Sequence, residues 1–214
     1  MWMSDKFVLL DDVEFKKNNF QNRNRIRSKG SEEGLIWVTV PVLTTGRPHQ
    51  NINEVEIDNK NPRWGKKCWK SIETNYQKAE FYERYSNFFY ETYVEKKWNY
   101  LVHLNIHIIN FLKEELGIKT DFYIASDLDA EGKKSKLLLN ICKELNAKTY
   151  ISGITGREYL DENIFKEEEI KVIYQDFNHP KYEQIYQPFI PKMSVIDLLF
   201  NHGDESLDII LSSN

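Results

Sequence analysis

The sequence predicts an α/β protein with a mostly parallel central sheet, covering helices and a helical middle segment. Short apolar runs alternate with stretches of helical periodicity from residue 121 to residue 200, a pattern typical of parallel strands joined by helices. Residues 62–116 favour helix throughout, whereas residues 1–57 contain many β-branched and aromatic residues. Because no repeat, low-complexity tract or Pro/Gly-rich linker interrupts the chain, we expect one domain over residues 1–214. We expect helices from residues 63–116 to cover the sheet that contains residues 7–10.

Each element follows from a local pattern. Apolar or alternating runs predict strands, and periodic segments bounded by proline, serine or glycine predict helices. The predicted strands cover residues 7–10, 35–42, 52–57, 121–125, 149–151 and 170–174, and the predicted helices cover residues 62–76, 79–94, 98–116, 132–145, 161–169 and 195–200.

Composition excludes several classes of protein. The formal charge of −4 gives no whole-chain argument for a nucleic-acid or membrane partner. Cys68 and Cys142 form no C-x-x-C pattern, so neither a disulfide framework nor a zinc site is indicated. Without an 18-residue apolar run or a signal-peptide pattern, we expect no transmembrane segment and a cytoplasmic location. One local stretch is basic and contains no acid, so it either faces a phosphate-bearing ligand or forms a solvated loop: Lys16, Lys17, Arg23, Arg25, Arg27 and Lys29.

The end of the first predicted strand is the most informative part of the chain. Residues 7–10 are apolar and lead directly into Asp11 and Asp12, and residues 20–26 then add a cluster of amide and guanidinium groups. Buried polar groups need partners, and open α/β sheets place ligands just beyond the carboxyl ends of their strands. This segment therefore predicts the polar wall of a pocket. We expect the Asp11–Asp12 strand end, residues 22–24 and the turn at residues 152–156 to line one cleft.

Two segments resemble known binding motifs but lack residues that those motifs require. The segment Gly132-Lys133-Lys134-Ser135 lacks the first glycine and the Lys-Ser/Thr pair of a phosphate-binding loop, so it predicts an ordinary helix start. His103 and His107 lie four residues apart on a predicted helix but lack the glutamate of zinc peptidases. We interpret them as a solvated polar stripe and predict no metal.

Two later segments could contact a ligand. The stretch from Ser152 to Asp161 follows a predicted strand and contains two glycines, so its backbone N–H groups could receive an anion. A β-to-α turn that needs glycine for its shape is the alternative. His179 lies beyond the strand of residues 170–174, where it is either an acid–base group or a turn histidine without a chemical role.

Five blocks of the chain, taken together and in order, resemble the WbqC-like family of bacterial polysaccharide and O-antigen loci. The match spans essentially the whole chain, but the His-Gln-Pro block with which family members usually begin is missing here. We expect either a start codon assigned too far downstream or a protein without its first strand. The matching blocks are residues 7–15, 20–26, 37–42, 150–160 and 198–203.

The resemblance implies a function in surface-glycan assembly, where family members are assigned to modifying sugars, including attachment of an amino acid such as glycine to an amino sugar. We expect a transferase that modifies a nucleotide-linked amino sugar by acyl or aminoacyl transfer. A non-catalytic adaptor of a glycan-assembly complex is the alternative. The expected partners are a nucleotide sugar or another sugar and an acyl or aminoacyl donor. No cofactor and no nucleic acid are expected.

Attack by a sugar amine on an activated carbonyl needs a base and donors for the developing oxyanion. The base candidates are Asp11 and Asp12, the donor candidates are Asn22, Arg23 and Asn24, and His179 is a further acid–base candidate. The ligand-binding candidates, several of which would hold the diphosphate, are Gln21, Ser152, Gly153, Thr155, Gly156, Arg157 and Tyr159. We expect Arg23 to be substantially buried against Asp11, Asp12 or backbone carbonyls, with Arg25 and Arg27 more exposed.

Overall fold

A computed structural model describes residues 1–212 and divides the chain into two compact units. The first unit contains residues 1–12 and 119–178, and the second contains residues 13–118 and 179–212. The regular elements in chain order are β1 (Lys6–Leu9), β2 (Arg23–Arg27), β3 (Leu35–Thr39), α1 (Trp64–Tyr76), α2 (Tyr82–Tyr90), α3 (Leu101–Glu115), β4 (Asp121–Ile124), α4 (Ser135–Glu144), β5 (Thr149–Gly153), α5 (Glu162–Glu167), β6 (Lys171–Gln175), α6 (Val195–His202) and α7 (Ser206–Leu211).

The first unit contains two parallel strand pairs. Strand β1 pairs with β4, with Leu9 opposite Ile124, and β5 pairs with β6. Helices α4 and α5 cover the second pair with an apolar cluster that includes Leu139, Cys142 and Phe165. This burial of helix residues against strand residues is the α/β packing that the alternating pattern predicts.

The second unit is built on one antiparallel pair, β2 with β3. Successive side chains of a strand point to opposite faces, so β2 divides its residues between two environments. Ile26 faces a core that includes Ile72 and Tyr76 of α1 and Phe200 of α6. The arginines at 23, 25 and 27 alternate with these core-facing positions.

Helix α2 runs on into a π-helix, Glu91–Glu95. Its wider turn is closed by the hydrogen bond from Lys96 N to Glu91 O at 2.8 Å. The Trp98 indole N–H donates to the Thr92 carbonyl at 2.8 Å, and Thr92 itself is fully buried. The π-helix is therefore fixed by specific partners.

The α/β class is confirmed, with two of the three strand pairs parallel. Among residues 1–212, the strands form three two-stranded sheets rather than one continuous central sheet. The helices of residues 62–116 lie in the second unit, so their covering of β1 in the first unit stays a prediction, as does the single domain. No helix among residues 1–212 is long and apolar enough to cross a membrane.

The prediction of a strand at residues 52–57 is wrong. Residues Ile52–Glu54 form a 3₁₀ turn, and the Asn51 N–H donates to the Glu54 carboxylate at 2.8 Å, a contact that favours a helical turn. The alternation did identify buried positions, because Val55 and Ile57 are both in the core. Strand β2, by contrast, lies in the stretch that we interpreted only as a polar wall or basic loop.

A buried carboxylate organises the second unit. Asp197 of α6 is fully buried; its Oδ1 accepts the Tyr76 hydroxyl at 2.6 Å, and its Oδ2 accepts Tyr182 Oη and Gln184 Nε2 at 2.8 Å each. Burial raises the pKa of Asp197 above its ordinary value, while these three hydrogen bonds and the charge of Arg27 oppose part of the rise. The network ties α1, α6 and the segment of residues 182–184 together.

Arg27 extends this network. Its backbone N–H donates to Tyr76 Oη at 3.1 Å, and its side chain is only 1% exposed. The guanidinium donates to three backbone carbonyls, those of Gly34 at 2.5 Å, Tyr186 at 2.8 Å and Pro188 at 3.0 Å. A planar fork can reach all three oxygens at once, which the point charge of a lysine cannot.

The expected order of burial among the arginines is therefore wrong. Arg23 is half-buried and donates to the Asn18 carbonyl at 2.5 Å, while Arg27 is the one that is fully enclosed. The strand period places all three arginines on one face of β2, and the chain around residues 186–188 covers only the last of them.

We predict that Arg27→Lys lowers the free energy of unfolding by about 2–4 kcal/mol, because an ammonium leaves buried carbonyls without donors. Arg25→Lys is the matched control on the same strand. Arg25 is half-buried and donates to the single carbonyl of Lys192 at 2.8 Å, so it should lose less than about 1 kcal/mol. Urea unfolding of both variants checks this, and equal losses would contradict it.

Candidate functional site

Asp11 and Ser126 form a closed pair at the carboxyl ends of β1 and β4. Asp11 is 2% exposed; its Oδ1 accepts the Ser126 backbone N–H at 2.9 Å and its Oδ2 accepts the Ser126 hydroxyl at 2.7 Å. Ser126 lies in the 3₁₀ turn Ala125–Asp127 that follows β4 directly. Parallel pairing brings the two strand ends together, so residues 115 positions apart in sequence meet here.

Asp12 differs from Asp11 in its hydrogen bonding. Its Oδ1 is buried and has no hydrogen-bond partner among residues 1–212. A buried acceptor without a donor is unfavourable, since desolvation of the oxygen is not compensated. A substrate N–H or O–H group that donated to this oxygen would supply that compensation. The strand end thus combines one carboxylate fixed by a serine with one carboxylate able to accept.

The Ser152–Gly156 turn in the same unit is packed against itself. Ser152 is 4% exposed, and Gly156 is buried directly beside it. A Cβ built on Gly156 would lie 2.0 Å from Ser152 Oγ and 3.3 Å from Tyr174 Cε1. Gly156 therefore packs closely against the Ser152 and Tyr174 side chains, and a larger residue would require one of them to move.

The outer residues of this turn remain accessible. Gly153, Thr155, Arg157 and Tyr159 are all exposed. The Arg157 guanidinium lies 4.5 Å from the centroid of the Tyr174 ring, which gives the cation a fixed aromatic support. Any ligand contact by this turn would therefore use its outer side chains and the Gly153 backbone rather than Ser152 or Gly156.

The polar candidates of the second unit make local contacts. Gln21 Oε1 accepts the Lys16 backbone N–H at 2.8 Å, and Asn22 Nδ2 donates to the Val40 carbonyl at 2.9 Å. Asn22 Oδ1 is buried without a partner in the described part of the chain, whereas Asn24 is exposed. Asn24 thus presents polar atoms to solvent, whereas Asn22 leaves one buried acceptor unsatisfied.

His179 holds a loop together. Its Nδ1 lies 2.8 Å from the Pro180 carbonyl, and its Nε2 accepts the Lys192 backbone N–H at 3.0 Å. This pairing assigns the proton to Nδ1. Because both ring nitrogens are engaged with backbone, the geometry supports the turn-histidine interpretation rather than acid–base chemistry.

The structure therefore brings Asp11 and Asp12 together with a residue that sequence reasoning missed, Ser126. The sequence could have indicated Ser126, because this residue directly follows the predicted strand at residues 121–125. The argument that ligands bind beyond strand ends applies to it as well. The turn at Ser152–Gly156 belongs to the same unit, while Asn22, Arg23 and Asn24 belong to the other. Convergence of these groups in one cleft stays a prediction.

The two histidines of α3 are separately placed. His107 Nε2 lies 3.2 Å from Thr92 Oγ1, and its ring stacks on Phe88 with centroids 4.9 Å apart. Burial lowers the pKa of His107, and the nearby Lys96 lowers it further. His103 instead contacts the Tyr100 ring. Among residues 1–212, no group of three or more His, Cys, Asp and Glu side chains is placed to hold a metal ion.

We predict that Gly156→Ala destabilises the protein by about 1–3 kcal/mol, because its methyl group would overlap Ser152 Oγ. Removing that oxygen with Ser152→Ala should recover part of the loss, so the double variant should be more stable than the sum of the singles predicts. Gly153→Ala is the control, since a Cβ there meets no atom within 4 Å. Thermal unfolding of the four variants measures this, and strict additivity would contradict the packing account.

Comparison with known proteins agrees with the resemblance seen in the sequence. A family model described as the WbqC-like protein family matches residues 1–209. A protein of Mycobacterium tuberculosis (strain ATCC 25618 / H37Rv), named "Uncharacterized protein Rv1507c", is 35% identical over 207 residues, covering 96% of this chain and 87% of that protein. No solved structure matches. The chain belongs to the WbqC-like protein family.

Proposed function

We propose that this protein modifies a nucleotide-linked amino sugar in surface-polysaccharide assembly, O-antigen included, by acyl or aminoacyl transfer. The observation that carries the proposal is the buried, unpartnered Oδ1 of Asp12 beside the Asp11–Ser126 pair. The resemblance to WbqC-like proteins supports our choice of substrate class, and the strand-end carboxylates support our choice of chemistry.

In the proposed reaction, the sugar amine forms a bond to the activated carbonyl carbon of the donor. The bond from that carbon to its leaving group then breaks. The attacking nitrogen becomes positively charged and must lose a proton. We propose that Asp12 Oδ1 is the base that accepts this proton. Asp11 is held by two donors from Ser126 and so fixes the geometry of the strand end.

An adaptor is the second candidate, and an exposed aromatic surface favours it. Phe20 is 55% exposed and Trp37 is 40% exposed, with their ring centroids 5.5 Å apart. Arg23 lies 4.2 Å and Arg25 lies 5.7 Å from the Trp37 ring. Aromatic and arginine side chains are enriched at protein interfaces. Co-purification with a glycosyltransferase, together with complementation by Asp12 variants, would favour the adaptor over the enzyme.

We predict that Asp12→Asn lowers the rate of transfer by about 100-fold or more, because the amide cannot take the proton. Mass spectrometry of amino-sugar nucleotides incubated with acyl and aminoacyl donors measures the product. Asp5→Asn is the matched control, since Asp5 is exposed and precedes the opposite end of β1. Full activity of Asp12→Asn, or no mass change with the native protein across a broad panel, would count against the proposal.

A further inference from the structure

The second unit contains a groove of about 590 Å³ between α1 and residues 90–94. The groove is open to solvent, and its volume is comparable with that of sites that hold one small molecule, about 300–1,000 Å³. Its lining consists of four cations, two aromatic rings and one aliphatic side chain, and contains no acid: Arg63, Lys66, Lys67, Lys70, Trp69, Tyr90 and Val94.

The four cations project from one side of α1. Positions 63, 66, 67 and 70 follow the three- and four-residue spacing that places side chains next to one another, and like charges at this spacing destabilise a helix. Lys70 is paired with Glu73 at 2.6 Å. The salt bridges of residues 1–212 include none for Arg63, Lys66 or Lys67, and all three are exposed. A solvated helix face would not need to concentrate this charge at a concave surface.

Aromatic rings form the other part of the lining. Trp69 packs against the core of the unit, and its ring lies 5.7 Å from the Tyr90 ring at an interplanar angle of 79°. Tyr82 stacks on Trp69 with centroids 6.4 Å apart. Tyr90 remains 38% exposed at the groove. A planar ligand can therefore stack on a fixed ring while its charged end lies near the lysines.

Backbone packing fixes the width of the groove. A Cβ on Gly65 would lie 1.9 Å from the Tyr93 carbonyl oxygen, so α1 approaches the π-helix as closely as the backbone allows. The Trp98 and Lys96 contacts described above hold the π-helix in turn. The backbone on both sides of the groove is therefore fixed before a ligand binds, which lowers the entropic cost of binding.

We propose that this groove binds a nucleoside diphosphate. The base stacks against Trp69 or Tyr90, and the two phosphates receive charge-assisted hydrogen bonds from Arg63, Lys66 and Lys67. The groove suits one nucleotide rather than a strand, and the formal charge of the whole chain, −4, opposes association with a polyanion. The inference goes beyond the transfer reaction and does not depend on it, because the groove lies in the second unit and the acidic strand end lies in the first.

Isothermal titration of the full chain with UDP, GDP and ADP tests the proposal. At least one diphosphate should bind, and the matching nucleoside and inorganic pyrophosphate should each bind at least tenfold more weakly. The double variant Lys66→Ala/Lys67→Ala should raise the Kd of that diphosphate at least tenfold. The matched control is Lys16→Ala/Lys17→Ala, an adjacent exposed lysine pair elsewhere in the same unit, which should change Kd less than twofold.

Three results would overturn the proposal. The first is an absence of binding for all three diphosphates. The second is unchanged affinity in the Lys66/Lys67 double variant when its thermal unfolding matches that of the native protein. The third is tighter binding of a single-stranded oligonucleotide than of any mononucleotide. Binding that is lost in this variant while no transfer product forms would leave the groove established and count against only the reaction.

Discussion

A buried carboxylate must have its oxygens covered by donors, and this constraint shapes both units of the protein. In the second unit, Asp197 collects three side-chain donors, from Tyr76, Tyr182 and Gln184. Through Tyr76 the network reaches Arg27, whose fork binds carbonyls of residues 34, 186 and 188. One hydrogen-bond network therefore fixes both the helices and the chain segments that have no regular secondary structure.

The first unit meets the constraint differently. Asp11 is satisfied by the two donors of Ser126, while Asp12 beside it has a buried oxygen without one. A carboxylate with all its hydrogen bonds contributes to structure. A carboxylate oxygen without a donor has an uncompensated desolvation cost, which a donor group of a ligand can reduce. This asymmetry between neighbouring aspartates is the reason for placing the chemistry at this strand end.

Sequence patterns predicted most of the regular structure because helical and strand periodicities report which face of an element is buried. The parallel pairs, the long helices and the Asp11–Asp12 strand end all follow from such local signals. The pattern at residues 52–57 identified buried positions but not their backbone, since the capping contact between Asn51 and Glu54 turns the chain. The enclosed arginine could not be read from sequence, because Arg23, Arg25 and Arg27 share one strand face and only distant residues decide which is covered.

The same limit applies to ligand contacts. The Ser152–Gly156 turn has the composition of an anion-binding loop, yet Ser152 and Gly156 fill each other's space. The sequence did not indicate a binding site at the cations of α1, because a basic helix face is usually solvated. Only the close approach of α1 to the π-helix, permitted by Gly65, turns that face into one wall of a groove.

The most direct test of the account is backbone amide NMR of the full chain during titration with an amino-sugar nucleotide and, separately, with the nucleoside diphosphate alone. We predict that the complete sugar nucleotide shifts the amides of Asp11, Asp12 and Ser126 beyond any change that the diphosphate causes. If the sugar leaves the amides of Asp11, Asp12 and Ser126 unmoved while it binds elsewhere, the strand-end carboxylates do not contact the sugar and the central claim is contradicted.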